Sequence, residues 1–226
     1  MTAQTIEGTA SSNNAASARK GPVVCVFCGA SPGSPPIHLA AARALAQVFH
    51  DNNISLVYGG GTAGLMGEVA RSLVALSGPS AVHGIIPAAL VNYEQNSADI
   101  DEKIYGRTTI VKDMHTRKQL MAREVIDGGP GGGFVALSGG YGTLEELMEI
   151  TTWNQLGIHG MPVVMYNVYG YWNGLLIWLK NAVSLGFIAP NNAGILVEAL
   201  SAEEVLTCLK EYKNAEGRFN LDWDEQ

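Results

Sequence analysis

Tyr58-Gly59-Gly60-Gly61-Thr62-Ala63-Gly64 closes a short β-branched run and opens a helical one, and Ser138-Gly139-Gly140-Tyr141-Gly142-Thr143-Leu144-Glu145-Glu146 repeats that arrangement farther along the chain. A glycine-rich turn between strand and helix lets backbone N–H groups approach an anion with no Cβ in the way. The helix that follows points the positive end of its dipole at the same spot. The two junctions therefore predict a phosphate site on a scaffold of alternating strands and helices, and the second carries a carboxylate, Glu146, into it.

Working outward, β-branched runs at Val23–Phe27, Ser55–Tyr58, Ala81–Ile86, Thr108–Lys112, Phe134–Leu137, Val163–Tyr166 and Ile195–Glu198 read as strands. Between them His38–Asn52, Leu65–Leu76, Thr116–Ile126, Thr143–Leu156, Tyr171–Leu185 and Ala202–Tyr212 show helical spacing. The crossover rule then gives an α/β fold, a doubly wound parallel sheet of about six or seven strands flanked by helices, with strands buried on both faces. Gly128–Gly133 precedes a strand and reads as a surface loop, because ligands gather where the strands of an open sheet end. Residues 22–226 are expected to form a single domain. Met1–Lys20, rich in Ala, Ser, Thr and Asn with no apolar core segment, reads as a disordered tail over residues 1–21 rather than a signal peptide.

Of the 226 residues 47% are hydrophobic and 15% charged, enough for a substantial core. The formal charge of −7 and the absence of a Lys/Arg block argue against nucleic-acid polymers and anionic membranes as partners. No stretch approaches the roughly 18 apolar residues of a membrane span. Three cysteines cannot form a disulfide framework, so a reducing, cytoplasmic setting is expected. Cys25-x-x-Cys28 falls on a strand, where residues three apart face opposite sides, so both thiols are expected to be buried and inert. The five histidines, His38, His50, His83, His115 and His159, lack the close spacing of a metal pair, and no catalytic metal is expected.

Gly59 to Gly64 fits G-x-G-x-x-G, but its strand is the second and no acid follows at about 20 positions, so a dinucleotide site is a poor fit. No G-x-x-x-x-G-K-[ST] occurs. Thr143-x-x-Glu146 has two readings: a capping box, with Thr at the N-cap and Glu three residues on, or a functional carboxylate beside a glycine cradle. Glu145 points about 100° away around the helix and reads as structural. Met114-His115-Thr116-Arg117-Lys118 places two cations at a helix start, against the dipole, which implies a bound anion or a nearby carboxylate. Because parallel strands end on one edge, Arg117 and Glu146 can converge in one crevice. The helix Thr143–Leu156 is apolar on more than one side, which fits either a partner subunit or a wedged position within a monomer.

At these residues the sequence resembles the LONELY GUY (LOG) family of cytokinin riboside 5′-monophosphate phosphoribohydrolases. The resemblance covers about residues 22–212. It is carried by Phe27-Cys28-Gly29-Ala30-Ser31-Pro32-Gly33, Tyr58-Gly59-Gly60-Gly61 through Gly64-Leu65-Met66-Gly67, Asp113 to Lys118, Ser138 to Glu146, and Thr152 to His159. It implies a Rossmann-like fold, a homodimer, and hydrolysis of the N-glycosidic bond of an N6-modified AMP without metal or organic cofactor. It also implies catalytic roles for Arg117 and Glu146, with Arg117 either orienting the carboxylate or contacting phosphate. Gly139, Gly140, Gly142 and Thr143 would bind the phosphate. Gly60, Gly61, Met66, Asp113, Met114 and Lys118 would contact the rest of the substrate. The family's proline before the glycines is Ser138 here, which removes a φ restraint but leaves the loop's N–H donors in place.

Two rival functions stand beside this one: a broad hydrolase of AMP or GMP, and a non-catalytic nucleotide or cofactor carrier. Proteins of this family have also been labelled lysine decarboxylases, a chemistry that needs a lysine bound to pyridoxal phosphate, and no lysine here is placed for one.

Overall fold

Alternation along β1 (Val23–Phe27) sorts the hydrophobic core into two layers. Val24 and Val26 face one side while Val23, Cys25 and Phe27 face the other, because successive strand side chains point to opposite faces. Cys25 and Cys28 fall into different layers for the same reason. The computed structural model describes residues 21–94 and 101–223. β1 sits in a seven-stranded parallel sheet with β2 (Ser55–Tyr58), β3 (Val82–Pro87), β4 (Arg107–Val111), β5 (Gly133–Ala136), β6 (Val163–Tyr166) and β7 (Leu196–Ala199), in the order β4-β3-β2-β1-β5-β6-β7. The disordered tail expected over residues 1–21 lies, except for Gly21, outside the described residues.

The helices pack on both faces. α1 (Ile37–Asp51), α2 (Gly64–Ser77) and α8 (Ala202–Glu211) cover one layer, where Ala42, Leu45, Phe49, Val69 and Leu73 are fully buried. α5 (Met114–Ile126), α6 (Tyr141–Gln155) and α7 (Asn173–Ser184) cover the other through Met121, Val125, Leu147 and Ile150. Two short helices, α3 (Val91–Glu94) and α4 (Glu102–Tyr105), intervene between β3 and β4. Among the described residues no helix is long and apolar enough to cross a membrane.

Burial on both faces holds for the inner strands but not at the edges. β4 and β7 each have one neighbour and turn residues such as Ile110 and Glu198 to solvent. The glycine run at Gly128–Gly133 turns at the amino-terminal end of the sheet, where Gly132 packs on the Val23 backbone, and its last residue already belongs to β5.

Candidate active site

In a sheet ordered outward from β1 and β5, the loops leaving those two strands diverge and open a crevice at their carboxyl ends. A cleft of about 760 Å³ lies there. Its walls are the loop after β1, the start of α2, the start of α5 and the glycine loop after β5. Backbone hydrogen bonds lace these loops together: Gly29 N–H donates to the Ser138 carbonyl at 3.0 Å, and Leu65 N–H donates to the Gly29 carbonyl at 3.0 Å. Gly64, at φ +56°, allows this lacing, since a Cβ there would fall on the backbone of Ala30 and Ser31.

Arg117 and Glu146 meet on the floor of the cleft. α5 begins at Met114, two residues earlier than its apolar pattern suggests, because Asp113 caps it: its Oδ1 accepts the Thr116 N–H at 2.7 Å. That cap also holds the Asp113 carboxyl below its ordinary pKa. Arg117 thus lies one turn into the helix, and its Nη2 sits 3.4 Å from Glu146 Oε1. The two residues are only 5% and 7% exposed. Met114 Sδ lies 3.6 Å from Nη1, while the buried Nε has no hydrogen-bond partner among the described residues. Burying two charges costs several kcal/mol per ion before they attract each other, and an unpaired donor adds about 1–3 kcal/mol. Stability alone does not account for such an arrangement.

Of the two readings of Thr143-x-x-Glu146, the capping box does not form. α6 begins at Tyr141 with Gly140 at its N-cap and no capping side chain, so Thr143 is already inside the first turn and Glu146 a turn beyond it. The first amides of α6 therefore lack both intrahelical acceptors and a side-chain cap. Gly140, Gly142 and Thr143 border the cleft at that point.

Of the other expected site residues, Met66, Met114 and Gly139 also line the cleft. Gly60 and Gly61 do not; they are buried, with Gly60 packed against Ile85 and Ile86. Asp113 is committed to its helix cap. Lys118 turns away from the cleft, its Nζ 2.6 Å from Glu145 and 3.1 Å from Glu149. The carboxylate that Arg117 implied is Glu146, and those that Lys118 implied are Glu145 and Glu149. Sequence reasoning assigned no role to Ser31, Ser34, His38, Leu90 or Tyr171, which also line the cleft. The signal available for the first two was the Gly/Ser/Pro-rich loop after the first strand, at the same sheet edge as the glycine loops. Cys28 borders the cleft too, but burial pushes its thiol far up and keeps it protonated.

A family described as "Possible lysine decarboxylase" matches residues 66–209. None of the described residues lining the cleft is a lysine, so the cleft offers no group to hold pyridoxal phosphate as a Schiff base. The chain is 53% identical over 206 residues to a "Bifunctional cytokinin biosynthesis protein" of Fusarium pseudograminearum. Those residues are 89% of this chain and 42% of that protein, so the chain spans less than half of that relative's length. It is 44% identical over 204 residues to the cytokinin riboside 5′-monophosphate phosphoribohydrolase LOG7 of Arabidopsis thaliana, covering 89% of this chain and 88% of that one. Among solved structures, the molybdenum cofactor carrier protein of Chlamydomonas reinhardtii superposes with a TM-score of 0.59 at 17% identity, over 84% of this chain and 97% of that one. That likeness is one of fold.

Proposed function

The chain belongs to the LONELY GUY family of cytokinin riboside 5′-monophosphate phosphoribohydrolases, and we propose that Glu146 and Arg117 form the centre at which it hydrolyses the N-glycosidic bond of N6-modified AMP. The products are the free cytokinin base and ribose 5-phosphate. The observation that carries the assignment of the centre is the buried Arg117–Glu146 pair on the floor of a cleft whose wall is an uncapped helix start.

As the glycosidic bond lengthens, positive charge builds on the ribose ring, and a carboxylate beside it stabilises that charge or takes a proton from attacking water. Glu146 fills this role, and Arg117, 3.4 Å away, aims its carboxylate. The 5′-phosphate lies on the amides of Gly140, Gly142 and Thr143. The base rests against the apolar side chains of Leu65, Met66, Leu90 and Met114, which border the same cleft. An apolar wall discriminates by only about 1–3 kcal/mol per missing methylene and leaves no polar group unpaired when plain adenine binds, so selectivity over AMP is one of degree.

The test is chromatography of products after incubating the protein with isopentenyladenosine 5′-monophosphate, its unphosphorylated riboside, and AMP. Base from the modified monophosphate and none from the riboside is the expected result; no base from any of the three would sink the proposal.

We also infer a cytoplasmic homodimer. In support, the three cysteines are free, and α7 turns Ile177 and Trp178 to solvent beside Leu185 and Phe187, which are 71% and 85% exposed. An apolar area of that kind is costly unless covered. On α6, Trp153 packs inward against the core, so the partner face is centred on α7.

A further inference from the structure

A second polar pair borders the cleft. His38, in the first turn of α1, places Nδ1 2.9 Å from the Oγ of Ser138 at the head of the glycine loop. The two residues are 8% and 6% exposed, and both line the cleft. Tyr171 stands edge-on to the imidazole with ring centroids 5.9 Å apart, and its hydroxyl donates to the Gly139 carbonyl.

Counting protons shows what this pair offers a ligand. A neutral imidazole and a hydroxyl carry one N–H and one O–H, and the bond between them uses one. If Ser138 donates, the ring holds its proton on Nε2, which has no hydrogen-bond partner among the described residues. If the ring donates, the Ser138 hydroxyl proton is free. Either arrangement leaves one donor unspent. Two of the loop's carbonyls already accept a hydrogen bond: Ser138 from Gly29 N–H and Gly139 from the Tyr171 hydroxyl. The unspent donor is available to an anion taken up in the cleft.

The charges point the same way. Of the ionisable side chains that line the cleft, Arg117 is balanced by Glu146, Cys28 is held protonated by burial, and Tyr171 can gain no positive charge. His38 is the remaining one, and with Ser138 it presents a hydrogen-bond donor to an anion in the cleft.

We propose that His38, with Ser138 setting its proton, is the side-chain half of the phosphate subsite and selects substrates bearing a phosphate monoester. This rests on the cleft being a nucleoside monophosphate site, as argued above. Arg117 and Glu146 then serve the glycosidic bond, and His38 serves the other end of the substrate.

The experiment is calorimetric titration of AMP, ribose 5-phosphate, inorganic phosphate and adenosine into the wild type, His38→Phe, His38→Gln and Ser138→Ala. A hydrogen bond to a charged group is worth about 1.5–3 kcal/mol, so His38→Phe is expected to weaken the three phosphate-bearing probes about tenfold or more and to leave adenosine unchanged. His38→Gln, which keeps an amide donor, should fall between. A merely structural role would weaken AMP and adenosine by the same factor, and that result, or no change in any variant, overturns the proposal. Because the readout is binding, phosphate selectivity without turnover would refute the hydrolase reading while leaving the subsite intact. Melting curves confirm that each variant titrated is folded, and Ser138→Ala supplies an independent arm should His38→Phe not fold.

Discussion

The guanidinium of Arg117 fills the space in which residue 59 would carry a side chain: a Cβ built on Gly59 falls on Nη2 of Arg117. The glycine after β2 therefore shapes the site by what it lacks. Gly59→Ala should push the guanidinium off Glu146 while leaving every polar side chain of the cleft in the sequence. Misplacement by about 1 Å costs roughly 10²-fold in rate, so kcat is expected to fall by about that factor with an unchanged circular dichroism spectrum. A variant with wild-type kcat would show that the position of Arg117 does not govern turnover.

Glu146→Gln keeps the shape of the side chain and removes its charge. The expected loss in kcat is about 10²–10⁴-fold, with KM changed far less. Its melting temperature should also drop, because the buried guanidinium of Arg117 loses its counter-charge. Adding Arg117→Met should restore much of that stability and none of the rate. If the double variant melts no higher than Glu146→Gln alone, the pair is not the source of the lost stability.

Lys118 and Asp113 separate substrate contact from support. Lys118→Met removes a cation bound to Glu145 and Glu149 outside the cleft and should leave KM within about twofold, a partly exposed ion pair being worth about 1 kcal/mol or less. Asp113→Ala removes the α5 cap and should cost about 1 kcal/mol in denaturant unfolding. A large rise in KM for Lys118→Met would return that residue to the substrate.

His159 gives stability a defined pH dependence. Its Nε2 lies 2.9 Å from the Ile150 carbonyl and its Nδ1 accepts the Met161 N–H at 3.1 Å, so the folded protein uses the neutral ring at both nitrogens. Burial pushes its pKa down to about 4 from an ordinary 6.5. Between those values the unfolded chain binds the proton and the folded chain does not. The contribution is thus whole above about pH 6.5 and is lost as pH falls toward 4, with a slope of up to about 1.4 kcal/mol per pH unit. His159→Gln should be less stable at pH 7 and show a flatter melting profile from pH 6.5 to 4; equal slopes in both proteins would assign the acid loss elsewhere.

Trp178→Glu tests the proposed dimer face. Light scattering should show the wild type at twice the chain mass and the variant at one. A monomeric wild type would leave the apolar face of α7 unexplained by a second copy.

Much of the fold was legible in order of residues alone. Val23–Phe27, Ser55–Tyr58 and Val163–Tyr166 have the bounds their β-branched runs indicate, because buried parallel strands demand apolar side chains on both faces. Helix starts were less legible, since they depend on caps. α5 begins early because Asp113 reaches the Thr116 amide, and α6 begins early because nothing at Thr143 competes with the turn already formed from Tyr141. The same local shift replaces the capping-box reading of Thr143 and Glu146 with a run of uncapped amides beside the Arg117–Glu146 pair.

Sequence by itself determined the alternation of strands and helices, the two glycine junctions, and that a cation and a carboxylate follow the ends of two strands consecutive in the chain. Those features are written in short windows, where side-chain period and backbone permissiveness act. Only the tertiary structure decided that Arg117 rests on Gly59, that Lys118 belongs to Glu145 and Glu149, and that His38 reaches Ser138. Each of these joins residues on different elements whose approach depends on the strand order β4-β3-β2-β1-β5-β6-β7, and no local pattern encodes that order.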